Sequence, residues 1–393
     1  MARPVFLSYA REDEDLADRL DAQLRLRGVP VWRDRRAMLW GAYNEDTVLN
    51  AIEQRCSGFV LLLTDAVMTS DFILNIELPA MARRRSIDPD FFAGAVFARD
   101  AGLTESAQQL HEACGVELLS PLGTRLSQED LDADLRNAAR GVLLSYLRGA
   151  MASSDKATAR IETRGPIPEN DPAVVHLAWS PPLAADLRDA SVDVWQDELL
   201  PALADVRAAL EETGSASTLE LCGRPHLSAA LAVGHEFRAP TGWTLSLHQD
   251  SLDVQTARVQ PDAGEWKLIR QPCSSGGDQR LVLCLHATKD VSRAMREHCR
   301  SLPPARVELH VRPATPPGHL AVQADGLNAL CAMIDAQIAD ARERYGVTET
   351  HLYLACPWVM AATLGWHLSS VGRLVSHEAD VERSSYRAAC ELA

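Results

Sequence analysis

Val5-Phe6-Leu7-Ser8-Tyr9-Ala10-Arg11-Glu12-Asp13 opens the chain with a short apolar strand that ends in a polar turn. Beyond it, Leu16, Leu20 and Leu24 recur at helical spacing until Gly28 and Pro30 stop the helix. A second strand, Val31-Trp32-Arg33-Asp34, ends on an acid, and a third, Gly58 to Thr64, is almost wholly apolar. Phe91 to Arg99 is expected as a fourth strand and Val116 to Leu119 as a fifth. Ser127-x-x-Asp130 has the pattern of a capping box and starts a long helix to about Gly149. Strands alternating with helices imply a parallel sheet covered on both faces. Just past the third strand, Thr69-Ser70-Asp71-Phe72-Ile73-Leu74-Asn75-Ile76-Glu77-Leu78 puts the Glu77 carboxylate on an otherwise apolar helix. The carboxyl end of a buried strand is where an α/β sheet places its chemistry.

A chain of 393 residues needs two or three domains. The net charge of −15, from 39 basic and 54 acidic residues, argues against a partner that is a long nucleic acid. Nine scattered cysteines without a Cys-x-x-Cys pair predict reduced thiols in a cytoplasmic protein and no zinc site. No basic region followed by an apolar run begins the chain, so no signal peptide is expected. The longest nearly apolar run, Leu352 to Gly365, is broken by Pro357 and falls short of the roughly 20 residues that cross a bilayer.

Residues 151–172 are polar, contain proline and lack periodicity, which predicts a linker between a first domain at 1–150 and a second at 173–393. The second domain echoes itself. Thr218 to Ala230 and His351 to Ala362 each give a strand, a proline at a helix start and an Ala-rich helix, with His235 and His367 ten residues past Pro225 and Pro357. Val174 to Ser180 and Leu281 to Lys289 are a second pair, strands that end in Ser or Thr. Two similar α/β halves, about 173–275 and 276–393, would place their helix N-termini around one cleft. Helix N-termini bind phosphates through free N–H groups and the helix dipole.

The Phe-Leu-Ser-Tyr strand, the Asp-ended second strand, the Trp40-Gly41 loop and the Ser-Asp-Phe to Glu77 spacing resemble a Toll/interleukin-1 receptor (TIR) domain over residues 1–150. Where many TIR domains carry Trp four residues before the Glu, this chain has Ile73, with Phe72 beside it. The resemblance implies a flavodoxin-like parallel sheet and cleavage of the nicotinamide–ribose bond of NAD+, with Glu77 as the catalytic residue. It implies that Tyr9, Arg11, Asp34, Asp46 and Phe72 bind the substrate and that Trp40 and Gly41 belong to a self-association loop. No cofactor or metal is implied; NAD+ is the substrate. Each residue has a plainer alternative: Glu77 on a helix surface, Tyr9, Arg11 and Phe72 as core or surface, Asp34 and Asp46 as strand-end and cap acids, and Trp40 and Gly41 in a surface loop.

The duplicated second domain resembles the SAVED domain, a fused pair of CARF-like α/β halves. A TIR domain ahead of a SAVED domain is an effector arrangement of cyclic-oligonucleotide-based anti-phage signalling (CBASS). The resemblance implies a cyclic oligonucleotide of the cyclic tri-adenylate type as activator, and head-to-tail assembly into a filament that switches on an NAD+ hydrolase. Trp179, Ser180, Arg224, Pro225, Thr288, Lys289, Pro357 and Trp358 are the expected nucleotide-binding residues: Arg224 and Lys289 to neutralise phosphate, Trp179 and Trp358 to stack on bases. Trp358 fits an ordinary core position as well. His235 and His367 lack nearby partners for a metal. A non-enzymatic TIR scaffold and a cyclase that makes cyclic ADP-ribose are the alternatives, the first kept open by Ile73.

Overall fold

The computed structural model describes residues 3–33, 45–98, 124–126, 129–152, 154, 156–168, 170–180, 191–214, 216–250, 252–273, 278–314, 324–368, 372–380 and 385–393. The chain forms two units. One comprises Met1–Thr158, Ile167–Ala178 and Ala208–Ala216, the other Ala159–Pro166, Trp179–Arg207 and Ser217–Ala393.

In the first unit, β1 (Val5–Ser8), β2 (Val31–Trp32), β3 (Gly58–Leu63), β4 (Phe92–Ala98) and β5 (Thr124–Leu126) form one sheet in the order β2-β1-β3-β4-β5. Every neighbouring pair is parallel. That order is the doubly wound, flavodoxin-like one, whose direction of winding reverses between β1 and β3. Burial on both faces explains why β3 reads as a continuous apolar run: Phe59 to Leu63 are fully enclosed. Each such side chain contributes about 1.5–3 kcal/mol by leaving water. The helices are α1 (Glu14–Leu26), α2 (Glu45–Asn50), α3 (Leu78–Ile87) and α4 (Leu131–Met151). Leu20 and Leu24 of α1 are buried, as their spacing requires. The N-cap of α4 is Asp130, whose carboxylate accepts from the Ala133 amide; a capping box would have used Ser127. Val116 to Leu119 lies outside the described residues, and the fifth strand of the sheet is β5.

Two further sheets follow. β6 (Ala157–Glu162), β7 (Val175–Ala178), β8 (Thr218–Arg224), β9 (Thr244–Gln249) and β10 (Leu252–Gln255) are ordered β10-β9-β8-β6-β7. β11 (Trp266–Pro272), β12 (Asp278–His286), β13 (Ala305–Pro313), β14 (Glu349–Ala355), β15 (Arg373–Asp380) and β16 (Ser385–Leu392) are ordered β11-β13-β12-β14-β15-β16. Laid side by side, the two orders match β6 to β12, β7 to β13, β8 to β14, β9 to β15 and β10 to β16. The duplication is therefore present, with two corrections to its sequence alignment. The counterpart of β12 is β6, inside the stretch expected to be a linker, and not β7. In β6 the alternation is carried by Ala157, Ala159 and Ile161, small residues that leave a weak period-2 signal. The second half also begins earlier than residue 276, because β11 already pairs antiparallel with β13.

The helices of this part are α5 (Leu200–Thr213), α6 (Leu227–Glu236), α7 (Ser292–Cys299), α8 (Ala324–Tyr345) and α9 (Trp358–His367). The duplicated helices α6 and α9 cross at backbone contact. A Cβ on Gly234 would lie 2.0 Å from the Ala362 carbonyl, and one on Gly365 would lie 2.3 Å from the Leu231 carbonyl. Glycine at both crossing points is what lets the two halves share one interior.

Candidate functional site

Ser8, the last residue of β1, donates its hydroxyl to Oε2 of Glu77 at 2.5 Å. Both side chains are buried, Ser8 at 2% and Glu77 at 8% exposure. The pair sits at the carboxyl ends of β1 and β3, where the sheet's winding reverses. Glu77 closes a single π-helical turn, Ile73–Glu77, in which the Leu78 amide reaches back five residues to the Ile73 carbonyl. Pro79 gives a local cause. It has no N–H for the Asn75 carbonyl, and its ring crowds that carbonyl, so the ladder widens just before it.

Tyr9 follows Ser8 directly, and the Arg33 guanidinium lies over its ring, 4.6 Å from the centroid. Arg33 is tied in turn to Asp18 at 2.5 Å and Asp21 at 3.4 Å. Burial raises the Tyr9 phenol above its ordinary range, partly offset by Arg33, so the hydroxyl stays protonated. Phe72 packs half-buried on the core beside Ile73, which is itself core at 3% exposure. Arg11 is exposed in the turn after β1, and Asp46 is exposed on α2. Asp34, Trp40 and Gly41 lie outside the described residues. A cavity of 440 Å³ is lined by Glu12, Asp13, Asp15, Arg19 and Thr64 among others, but not by Glu77. Its carboxylates make it a poor receptor for an anionic ligand. Ser8 was not among the residues singled out in the sequence; its only mark there is a polar residue ending an apolar strand.

The duplicated turns are more closed than their sequence suggests. Pro225 precedes the N-cap of α6, which is His226, whereas Pro357 is itself the N-cap of α9. Neither proline opens the first helical turn. The Thr163 hydroxyl accepts from the His226 amide at 2.7 Å, and the Ser228 amide donates to Oε1 of Glu378 at 2.7 Å. The matching bond at α9 runs from the Val359 amide to Oε1 of Gln249 at 3.4 Å. Gln249 ends β9 and Glu378 lies in β15, so each half caps the other's helix, one with a carboxylate and one with a neutral amide. Thr163, Gln249 and Glu378 went unnoticed in the sequence because each acts on a helix far away along the chain.

Of the eight residues expected at the nucleotide, Arg224, Thr288 and Lys289 are exposed. Arg224 also donates through Nε to the fully buried Glu162 carboxylate at 3.2 Å. The amides of Ala287 and Thr288 both reach the Ala355 carbonyl, which fixes the turn that presents Thr288 and Lys289. Pro357 is half-buried and Pro225 buried. Ser180 is buried and donates to the Gly165 carbonyl at 2.7 Å. Trp179, at 1% exposure, packs edge-on against Trp195 with centroids 6.2 Å apart, and Trp358 is 6% exposed. Both rings are core groups without a free face for a base, because the strand end and helix start that carry them point inward.

Residues 5–93 match the model of the TIR domain, and residues 202–392 match that of SAVED, the SMODS-associated and fused to various effectors sensor domain. The chain joins a TIR domain to a SAVED domain. Two solved structures share the fold over nearly its whole length. One is the Acinetobacter baumannii Cap4 SAVED/CARF-domain containing receptor with the cyclic trinucleotide 3'3'3'-cAAA, at 12% identity and a TM-score of 0.52, covering 96% of this chain and 97% of that one. The other is the same receptor with 2'3'3'-cAAA, at 12% identity and a TM-score of 0.51, with the same coverage. No curated protein matches the chain. Among the described residues, no helix is long and apolar enough to cross a membrane.

Proposed function

We propose that this TIR–SAVED chain is a cyclic-oligonucleotide-activated NAD+ hydrolase of bacterial anti-phage defence, acting in the cytoplasm. The SAVED domain binds a cyclic tri-adenylate-type messenger, the chains assemble head to tail into a filament, and the TIR domains cleave NAD+ to nicotinamide and ADP-ribose. The observation that carries this reading is the Ser8–Glu77 pair: a buried carboxylate that accepts a short hydrogen bond from Ser8 where the doubly wound sheet binds its ligands.

Loss of nicotinamide leaves positive charge on the ribose. A fixed carboxylate in a water-poor site stabilises that charge as it develops, or polarises a ribose hydroxyl, without reorganising at the moment of reaction. Ser8 fixes Glu77 before substrate arrives. In the SAVED domain, exposed Thr288 and Lys289 on a braced turn supply a hydroxyl and a cation for phosphate. The α9 end, capped only by a neutral amide, retains its favourable dipole. The fold likeness to a receptor solved with cyclic trinucleotides supports that ligand class. Head-to-tail contacts whose rotation does not close into a ring build filaments.

The test is nicotinamide release from purified protein given NAD+ and a panel of cyclic di- and trinucleotides, beside Glu77→Gln. Release with one cyclic nucleotide, lost in the variant, supports the gated hydrolase. Cyclic ADP-ribose as the main product would make the enzyme a cyclase. Ligand binding with no release under any condition would reject the enzyme and leave a scaffold.

A further inference from the structure

Below the turn that presents Thr288 and Lys289, β12 and β13 bring together three side chains that the sequence keeps apart. Cys284 and His286 share one face of β12, and His310 enters from β13 because Cys284 pairs with His310 in the parallel register. They are 0%, 3% and 6% exposed. One ligand atom from each lies within 4.8 Å of the others, the only such His/Cys/Asp/Glu group among the described residues.

The polar partners have an orientation. The Val291 amide donates to Nδ1 of His286 at 3.1 Å, which leaves that ring's proton on Nε2. Nε2 faces Nδ1 of His310 at 3.0 Å, and Nε2 of His310 faces the Glu308 carboxylate at 3.2 Å. Nδ1 of His286 also has the Asp290 carboxylate at 3.3 Å. Each imidazole therefore turns one nitrogen toward the cluster and has a carboxylate at the other. Metal-ligating histidines typically have the outer N–H on a carboxylate that fixes the ring and raises its basicity; His310 already has this arrangement with Glu308, and His286 reaches it once its proton moves to Nδ1, beside Asp290.

We propose that Cys284 Sγ, His286 Nε2 and His310 Nδ1 form a binding site for a zinc-class transition ion. A thiolate with two imidazoles selects zinc or copper(I) over magnesium or calcium, which take oxygen ligands. Three protein ligands are enough for zinc when a fourth position is left open. Loading replaces the hydrogen bond between the two rings. The Cys284 thiol loses its proton to solvent as the S–metal bond forms. The His286 proton moves from Nε2 to Nδ1, toward Asp290, at the expense of the Val291 bond, and His310 keeps its proton on Nε2, toward Glu308. No oxidant or reductant takes part. The ion would brace the His286–Val291 segment, which carries Thr288 and Lys289, but the site itself does not depend on the proposed activity.

The neighbouring pair His351 and His377, 2.9 Å apart, is not part of the group; His377 is stacked on Tyr353. Cys299, whose thiol meets the Tyr353 hydroxyl at 3.5 Å, is likewise outside it and serves as a control. The experiment is cobalt(II) titration of the full chain after chelator treatment, read by the thiolate-to-cobalt charge-transfer absorption. One equivalent should produce the band. It should vanish in Cys284→Ser, weaken at least tenfold in affinity in His310→Gln, and persist in Cys299→Ser. No band in the folded wild type, or a band that survives Cys284→Ser, overturns the site. If the serine variant does not fold, X-ray absorption on the zinc-loaded wild type decides. A first shell with one sulfur and imidazole nitrogens supports the assignment, and a shell without sulfur rejects it.

Discussion

Glu378 accepts the Ser228 amide at 2.7 Å, so the first turn of α6 ends on a carboxylate from the other half of the SAVED domain. The pseudo-equivalent turn of α9 ends on Gln249, a neutral and longer contact at 3.4 Å. A carboxylate at a helix N-terminus gains from both the hydrogen bond and the dipole. Glu378→Ala should therefore lower stability by about 1–2 kcal/mol, and Gln249→Ala by no more than a few tenths. Urea unfolding of the two variants checks this; equal losses would mean that the two ends are energetically alike.

The same asymmetry bears on ligand binding. With Glu378 in place, the α6 end repels phosphate, while α9 can still attract it. Glu378→Gln keeps an acceptor for Ser228 but removes the charge. It should leave the binding of a cyclic oligonucleotide unchanged or tighten it, whereas Lys289→Ala should weaken it by roughly tenfold, the usual size of a charge-assisted phosphate contact. Isothermal titration calorimetry on the two variants distinguishes these effects. Weaker binding in Glu378→Gln would place the carboxylate in the ligand's own hydrogen-bond set.

At the TIR domain, Ser8→Ala removes the hydroxyl that fixes Glu77 but leaves the carboxylate. A hydrogen bond to a charged group is worth about 1.5–3 kcal/mol, so turnover should fall by roughly tenfold or more, short of the complete loss in Glu77→Gln. The measurement is nicotinamide release under activating conditions, with circular dichroism to show that the fold is intact. Unchanged turnover in Ser8→Ala would show that Glu77 is positioned by something else.

How much of this was legible beforehand depended on how local each signal was. The β2-β1-β3-β4-β5 sheet was readable because both-face burial writes long apolar runs into β1, β3 and β4, and because Glu77 interrupts an apolar helix. The duplication was readable at β8–α6 and β14–α9, where strand, proline and Ala-rich helix follow one another within a few residues. β6 was not, because alanines carry most of its buried face and a polar neighbourhood hid it. Trp179 and Trp358 looked like stacking platforms since sequence gives a residue's place along a strand or helix but not which side faces the core. Glu378, Gln249 and the Cys284–His286–His310 group were invisible, because each depends on register or on contacts between residues far apart in the chain.

The crossing of α6 and α9 leaves no room for a side chain. At Gly365 a Cβ would sit 2.3 Å from the Leu231 carbonyl and 2.9 Å from the His235 amide nitrogen, both backbone atoms that cannot rotate away. Overpacking of this kind costs about 1–3 kcal/mol where side chains can yield, and more where backbones must part. Gly365→Ala should therefore destabilise the SAVED domain by roughly 3 kcal/mol, and Gly326→Ala, where nothing lies within 4 Å, by almost nothing. Thermal unfolding of both variants is the check. Equal midpoints would mean that the two helices can separate without loss.

The histidines of the same helices set a pH dependence with a definite sign. His235 is pushed down to about 4 by burial and by the nearby Arg238 cation, and His367 to about 4 by burial alone. In the unfolded chain each returns to 6.5. Above that value both states are neutral and the stability is complete. Between it and about 4 the unfolded chain binds protons that the folded one refuses, so stability falls as the pH falls. At pH 5 each residue should cost on the order of 2 kcal/mol relative to pH 7. Urea midpoints should therefore drop on acidification, and His367→Gln, which can still meet Asn328, should remove about half of the fall attributed to this pair. A midpoint that does not move between pH 7 and pH 5 would show that these rings titrate normally in the folded protein.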